Sequence, residues 1–573
     1  MRKVGFVTAV VLAMLTVATV AYIWITALVG SIYRYTSPLK GAPPLTEDSS
    51  RPLTSQVVLV LVDGLRFDAS LQMPYLQSLR KQGAHAILVS RPATGSITSW
   101  TALLGGARPE IDGAPLFDPS YDGIKTITID NLFATVNRAG LTNGIAASRS
   151  WERLIPPDLL YTQYYAPGED EAADRSIMDR CLVFLNEFRP NFLVVYLSQV
   201  NAAGLRYGTA SSEHQQAIQH CDDYVRQLSA NMNLTRSTLI IASSHGQLDQ
   251  GGYGGDETVL LEVPFVMVGE DVLPGDYRTM DQADLAPTIA TLLGTPTPSA
   301  AQGNARLDML RVDRIEKAER LVALANQKVR IGSIYLNSIG RGTVSETAKG
   351  DMQVARSSLQ VKNYESAAEL ASLAVRQTGL EMSQARSSRI WDERRPRGIL
   401  LAIAGLLLLW ILWKWRGKET VWSLLAAFLA AGTYHLLFLR QGSAYSFSRL
   451  PPGGLASTLN PSLRHAALSL ALGGLIILWR AWRERQESIV VVMRRTYAFG
   501  LLQVYLVALV VGACAFWNGP RFAWYLPNLK VAYLHFSALM QLMATSILVI
   551  PLPAIVVVAQ RIASAISKRS FHA

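Results

Sequence analysis

The chemistry open to this chain lies in a few residues that close apolar runs. Asp63 follows the run QVVLVLV (56–62), in LVLVDGLRFD. A carboxylate just past a buried strand can hold a metal at the sheet edge, and a turn or helix-capping Asp reads the same way. A small, hydroxyl-rich loop, RPATGSIT (91–98), leads into SWTALLGGARPE. Such a loop at a helix start exposes a nucleophile, here Ser96 with Thr94 beside it, and turns backbone N–H groups toward an anion. Thr94, Ser96 and Thr98 would serve equally as plain helix caps. The third segment is LIIASSHGQ (239–247), which ends on Ser243, Ser244, His245 and Gly246.

These residues need a scaffold. From 56 to about 310, β-branched runs alternate with helical patterns, which predicts an α/β fold: a mostly parallel sheet with helices on both faces. Strands are expected at 56–62, 86–90, 124–128, 143–147, 191–197, 237–242 and 263–268. In such sheets, sites form in loops at the carboxyl ends of the strands. Residues 312–392 lack a convincing strand and show helical periodicity, as in RIEKAERLVALANQKV. They predict two or three helices, a stalk in the form of a helical hairpin.

Half of the chain is hydrophobic. Residues 4–30 form a charge-free run behind Arg2 and Lys3, longer than the roughly 7–15 residues of a signal-peptide core. The run is read as an uncleaved anchor. Further spans are expected at about 398–413, 421–439, 464–481, 496–517 and 535–559. Basic clusters at Arg2–Lys3, Lys414–Lys418, Arg480–Arg495 and Arg561–Arg569 place both termini in the cytoplasm and residues 33–396 outside, at the plasma (inner) membrane. The expected layout is an anchor (1–32), a linker (33–55), an external α/β domain (56–310), an external hairpin (311–396) and an α-helical multi-span membrane region (397–573).

The net charge of +11 follows partly from this topology and favours anionic headgroups. No stripe of interleaved basic and aromatic residues suggests nucleic acid. Cys181 and Cys221, both external, form either a disulfide or two buried thiols. His214 and His220 lie six apart on a predicted helix and are read as surface residues, His85 has no evident partner, and His435 sits near a span end. Pro451-Pro452-Gly453-Gly454 falls in a predicted external loop.

The blocks taken together resemble the alkaline phosphatase superfamily. VDGLR, then P-x-T-x-S, then G-x-x-P-E (Gly106, Pro109, Glu110) resemble the nucleotide pyrophosphatase/phosphodiesterases and the GPI ethanolamine phosphate transferases. VNAAGLRYG (200–208) resembles D-x-x-G-H-x-x-G, SSHGQLDQGGYGGDE (243–257) resembles S-D-H-G-M followed by G-x-H-G-G, and MDQADLAPTIATLLGTPTP (280–298) resembles a segment of the GPI transferases. The resemblance implies a nucleophile at Ser96 and two metals. The first metal would be held at Asp63, Ser96, Ser244 and His245, the second at Asn201, Leu205 and Tyr253.

Four of those seven positions depart from the pattern. Ser244 replaces Asp, and Asn201, Leu205 and Tyr253 replace Asp, His and His. A Ser hydroxyl is a poor ligand, and Leu cannot ligate. The resemblance therefore implies a degenerate member, without metal, that binds an envelope lipid, lipid-linked glycan or protein through the old cleft. The alternative it leaves is an active phosphotransferase or phosphodiesterase, phosphoethanolamine-transferase-like, with Ser96 as nucleophile and one zinc or manganese ion. Lipoteichoic acid synthases and lipid A phosphoethanolamine transferases work with the first site alone. In that case Asp249 or Asp256 would supply the missing carboxylate.

Overall fold

The computed structural model describes residues 2–44, 50–440, 444–450, 457–483, 488–522 and 524–569. The turn at 451–454 lies outside them. The chain separates into two compact units. One comprises residues 32–389 with 523–526, and the other comprises 1–31, 390–522 and 527–573.

The first unit is built on an eight-stranded sheet: β1 (Gln56–Val62), β2 (Ala84–Val89), β3 (Asn143–Ser148), β4 (Thr162–Ala166), β5 (Phe192–Leu197), β6 (Ser237–Ala242), β7 (Glu262–Val268) and β8 (Gly275–Asp281). The spatial order is β4-β3-β5-β1-β6-β7-β2-β8. All neighbours pair parallel except β7, which runs antiparallel to β6 and β2. The pleat explains why β1 is apolar throughout. Val57, Leu59 and Leu61 enter the core on one face, while Val58, Val60 and Val62 enter the core on the other. With β5 and β6 on its flanks, β1 delivers Asp63 to the middle of the sheet's carboxyl edge.

Two edge strands, β4 and β8, escape the sequence pattern because they are half exposed and polar (TQYYA and GDYRTMD). The expected strand at 124–128 does not form. Those residues join no sheet, and Ile124 and Ile127 bury their side chains against the core without a ladder. His214 corrects a second expectation. It is buried, on the same inward stripe as Ala217, Ile218 and Cys221 of the helix Ser212–Ala230. His220 is half-buried, 3.4 Å from Gln199. Cys181 and Cys221 are free thiols buried in one core cluster.

The helices Arg314–Ser338 and Glu346–Gln360 and the start of Tyr364–Lys414 form the hairpin region. Ala318, Ala325, Ala348, Ala355, Ala367, Ala371 and Ala374 are all buried there, so small side chains allow close helix approach.

The second unit holds the apolar helices. Among the described residues, six helices are long and apolar enough to cross a membrane: Val7–Tyr33, Tyr364–Lys414, Thr420–Arg440, Leu459–Arg483, Ile489–Asn518 and Leu529–Val549. This is a multi-pass membrane protein. The expected span at 535–559 is divided, because Pro551 and Pro553 end one helix and open another at Leu552–Arg569. A Cβ on Gly473 would meet Phe499 at 2.4 Å, so glycine is what lets those two helices approach.

If the thiols are free, the chain unfolded in denaturant without reductant should take up three thiol labels per molecule, one for each cysteine. Uptake of only one, at Cys514, would reveal a disulfide between Cys181 and Cys221.

Candidate functional site

Asp63 is the anchor of the site. Its N–H donates to the Leu197 carbonyl at 2.9 Å, which continues the β1–β5 ladder by one step and fixes where the side chain points. The carboxylate is fully buried, yet three hydroxyls converge on it. Tyr196 Oη, from β5, donates to Oδ2 at 2.7 Å. Ser96 Oγ lies 3.2 Å from Oδ2, and Ser244 Oγ donates to Oδ1 in a short contact. A buried carboxylate needs such donors, each worth roughly 1.5–3 kcal/mol. Burial and the adjacent Asp63 charge hold the Tyr196 hydroxyl well above its ordinary pKa, so it stays a donor.

Ser96 opens the helix Ser96–Gly105. Its Oγ is 2.9 Å from His245 Nε2. The other ring nitrogen, Nδ1, is 2.9 Å from the Gly246 carbonyl. A carbonyl only accepts, so Nδ1 carries the proton, and in the neutral ring Nε2 accepts from Ser96. That is the geometry of a hydroxyl held against a base. Nε2 also lies 3.5 Å from Asp63 Oδ1, and the single Ser96 proton serves only one of its two neighbouring acceptors at a time.

The N-terminus of this helix is the expected anion position. It is filled from within the chain: the Ser96 and Ile97 N–H groups donate to the two Asp118 carboxylate oxygens, each at 2.9 Å. Burial raises the Asp118 pKa, against the pull of those two bonds and of His245. Asp118 sits in PLFDPS (115–120), which has no motif spacing to single it out, so sequence reasoning missed it.

Thr94 does not face Asp63. It accepts from the Gly254 N–H at 2.9 Å and donates to the Gly255 carbonyl at 3.2 Å, so it pins the glycine-rich loop to the nucleophile loop. That loop carries Tyr253, whose ring stacks on His245 with centroids 4.1 Å apart. Asn201 is buried. Its Oδ1 and its carbonyl both accept from Gln247 Nε2, at 2.5 and 2.8 Å. Gln247 fits only because Gly204 lacks a Cβ, which would lie 1.7 Å from Gln247 Oε1. Leu205 is 47% exposed. Asp249 pairs with Arg66 at 2.6 Å, with its side chain 84% exposed, and is drawn away from Asp63. Asp256 is half-buried in the glycine-rich loop.

The donor set does not fit the two-metal centre that the resemblance implies. Among the described residues, no three His, Cys, Asp or Glu side chains converge as a metal-holding group. What converges is the Asp63 carboxylate bonded by hydroxyls, the Asp118 carboxylate held by two backbone N–H groups, and one imidazole bonded to a serine. A zinc-type site draws on three or four strong protein donors.

Two substitutions test this geometry. Tyr196→Phe should destabilise the protein by about 1.5–3 kcal/mol, since it strips a donor from a buried carboxylate. An unchanged melting temperature would show that the hydroxyl does not hold Asp63. Asp118→Ala should open the helix N-terminus, so that inorganic phosphate or vanadate binds and raises the melting temperature of the variant but not of the parent. The same response in both would mean that Asp118 does not fill the position.

Residues 125–315 match the family model described as type I phosphodiesterase / nucleotide pyrophosphatase. The chain is similar to the catalytic subunit of GPI ethanolamine phosphate transferase 3 from Mus musculus, at 23% identity over 286 residues, which covers 44% of this chain and 26% of the relative. It is also similar to the catalytic subunit of GPI ethanolamine phosphate transferase 2 from Homo sapiens, at 23% identity over 281 residues, 44% of this chain and 28% of the relative. The match thus spans about a quarter of the length of these curated relatives. Among solved structures, murine ectonucleotide pyrophosphatase / phosphodiesterase 5 superposes with a TM-score of 0.37 at 14% identity, covering 42% of this chain and 96% of that one. With the ordered sequence blocks on one sheet edge, the family match and these relatives assign the α/β domain to the alkaline phosphatase superfamily.

Proposed function

We propose that this domain is a catalytically silent superfamily member that serves as a binding or scaffold module beside the membrane. The observation that carries the reading is double occupancy from within the chain. Asp63 accepts from the hydroxyls of Ser244 and Tyr196, with Ser96 Oγ 3.2 Å away, and the anion position at the helix N-terminus is taken by Asp118. A phosphoryl group entering there would meet a carboxylate where it needs N–H donors, and like charges at such distance repel strongly in a buried site. The reading places the domain on the external face of the plasma membrane with both termini in the cytoplasm. The partner class we propose, in keeping with relatives named GPI ethanolamine phosphate transferases, is a lipid-linked glycan, or a protein of the envelope that handles one.

One observation favours retained transfer chemistry, namely the 2.9 Å contact between Ser96 Oγ and His245 Nε2. In that reading His245 takes the Ser96 proton as the hydroxyl attacks a phosphodiester. Asp118 would first have to leave the helix N-terminus.

Cells lacking the protein discriminate the two. Complementation by Ser96→Ala and by His245→Ala should be as complete as by the parent once expression is adjusted to matched protein levels, since each change also removes a buried polar contact. A scaffold needs neither a nucleophile nor a base. Loss of complementation in both variants at normal abundance, together with phosphodiester turnover by the purified parent that Ser96→Ala abolishes, would establish the transferase.

A further inference from the structure

A cavity of about 400 Å³ opens within the unit 32–389, away from Ser96, between the loop that carries Arg108 and Glu110 and the helices Arg314–Ser338 and Tyr364–Lys414. Five cationic side chains line it: Arg91, Arg108, Lys328, Arg376 and Arg386. Their carboxylate partners are few. Arg91 and Arg108 share a single oxygen of Asp281, at 3.1 and 3.0 Å. Arg386 reaches Glu110 at 3.4 Å. Lys328 donates to the carbonyls of Ala301 and Gly303, at 3.0 and 2.6 Å, and Asp284 adds a third carboxylate nearby. Burial pulls the Lys328 ammonium down to about 7, so the fixed charge comes from the four arginines, set against the carboxylates of Asp281, Glu110 and Asp284. The excess of positive charge is therefore small, but it lies in a concave, partly desolvated space where an anion is attracted most strongly.

A second, independent observation concerns unmet hydrogen bonds. Thr378 is 1% exposed, it lines this cavity, and its Oγ1 has no partner. Its methyl group is accounted for, since it lies where a Cβ on Gly332 would fall, at 2.5 Å. The buried Nε atoms of Arg108 and Arg386 also lack partners. Buried donors left in this state cost about 1–3 kcal/mol each, and a ligand that accepts from them recovers that cost. Two guanidinium groups and a hydroxyl around one space suit a group with several acceptor oxygens and negative charge.

We propose that this cavity is a binding site for a phosphate monoester or diester group, distinct from the Ser96 centre and independent of whether that centre is active. The volume admits a phosphorylated headgroup rather than a bare oxyanion alone. Arg108 and Arg386 would fork onto the phosphate oxygens, and Thr378 Oγ1 would donate to one of them. Because Arg108 belongs to the G-x-x-P-E loop and Arg386 to the long helix, the ligand would tie the α/β domain to its helical stalk.

The test uses full-length protein in detergent. Calorimetric titration with glycerol 3-phosphate, and with short-chain phosphatidic acid in micelles against phosphatidylcholine micelles, separates a free phosphate ester from a lipid headgroup. Saturable binding of either phosphate compound is expected. Arg386→Gln should weaken it about tenfold, as the loss of a charge-assisted contact does. Thr378→Val, which removes a single neutral hydrogen bond and keeps the shape, should weaken it roughly threefold. Neither should shift the melting temperature of the ligand-free protein downward by more than a degree or two, and Thr378→Val stands alone if Arg386→Gln fails to fold. No binding of either compound, or binding that both folded variants leave unchanged, overturns the proposal.

Discussion

A carboxylate buried at the end of the central strand must be neutralised or hydrogen-bonded, and the site is organised around that requirement. Asp63 emerges from β1 between β5 and β6, where the sheet is covered on both faces and water cannot reach. Here the requirement is met by the hydroxyls of Tyr196 on β5 and Ser244 after β6, with Ser96 at a helix start alongside, shared between Asp63 and His245. Each brings its backbone with it. The loops at the carboxyl edge therefore take their positions from Asp63 as much as from their own turn chemistry.

The substituted positions behave as a set. Ser244 donates to Asp63, and its own carbonyl accepts from Gln282 at 2.8 Å. Asn201 is satisfied by Gln247, and Gln247 is accommodated by Gly204. Tyr253 covers the face of His245 with an aromatic ring. No abandoned ligand is left as an isolated buried charge. Most of these polar groups answer one another, the exception being Gln247 Oε1, which is buried without a partner. Thr94 belongs to the same set, since the glycine-rich loop bearing Tyr253 hangs from its hydroxyl.

What was legible in the sequence was whatever depends on local pattern. The buried central strands read as continuous apolar runs, whereas Asp63, Ser96 and His245, each also readable as a turn or cap residue, came together only through the order of blocks that resembles the superfamily. The edge strands β4 and β8 were not legible, because half-exposed polar strands carry little periodicity and are defined by the neighbour they pair with. At 124–128 the reverse holds: the β-branched run IKTIT reads as a strand by composition, but it pairs with no strand. Asp118 belongs to the same class of miss. Its role comes from a loop folding back over 22 residues onto two N–H groups, which no spacing rule encodes. His214 was misread because its two-histidine spacing was weighed without the inward stripe of its own helix.

The proposed function requires that hydroxyls rather than a metal satisfy Asp63. Elemental analysis of the full-length protein, purified without chelator and dialysed, tests it directly when paired with melting curves in zinc, in manganese and in EDTA. Zinc and manganese far below one equivalent are expected, with a melting temperature that neither added metal nor chelator moves. One tightly held equivalent, with a melting temperature that falls in EDTA and recovers when the metal is returned, would contradict it.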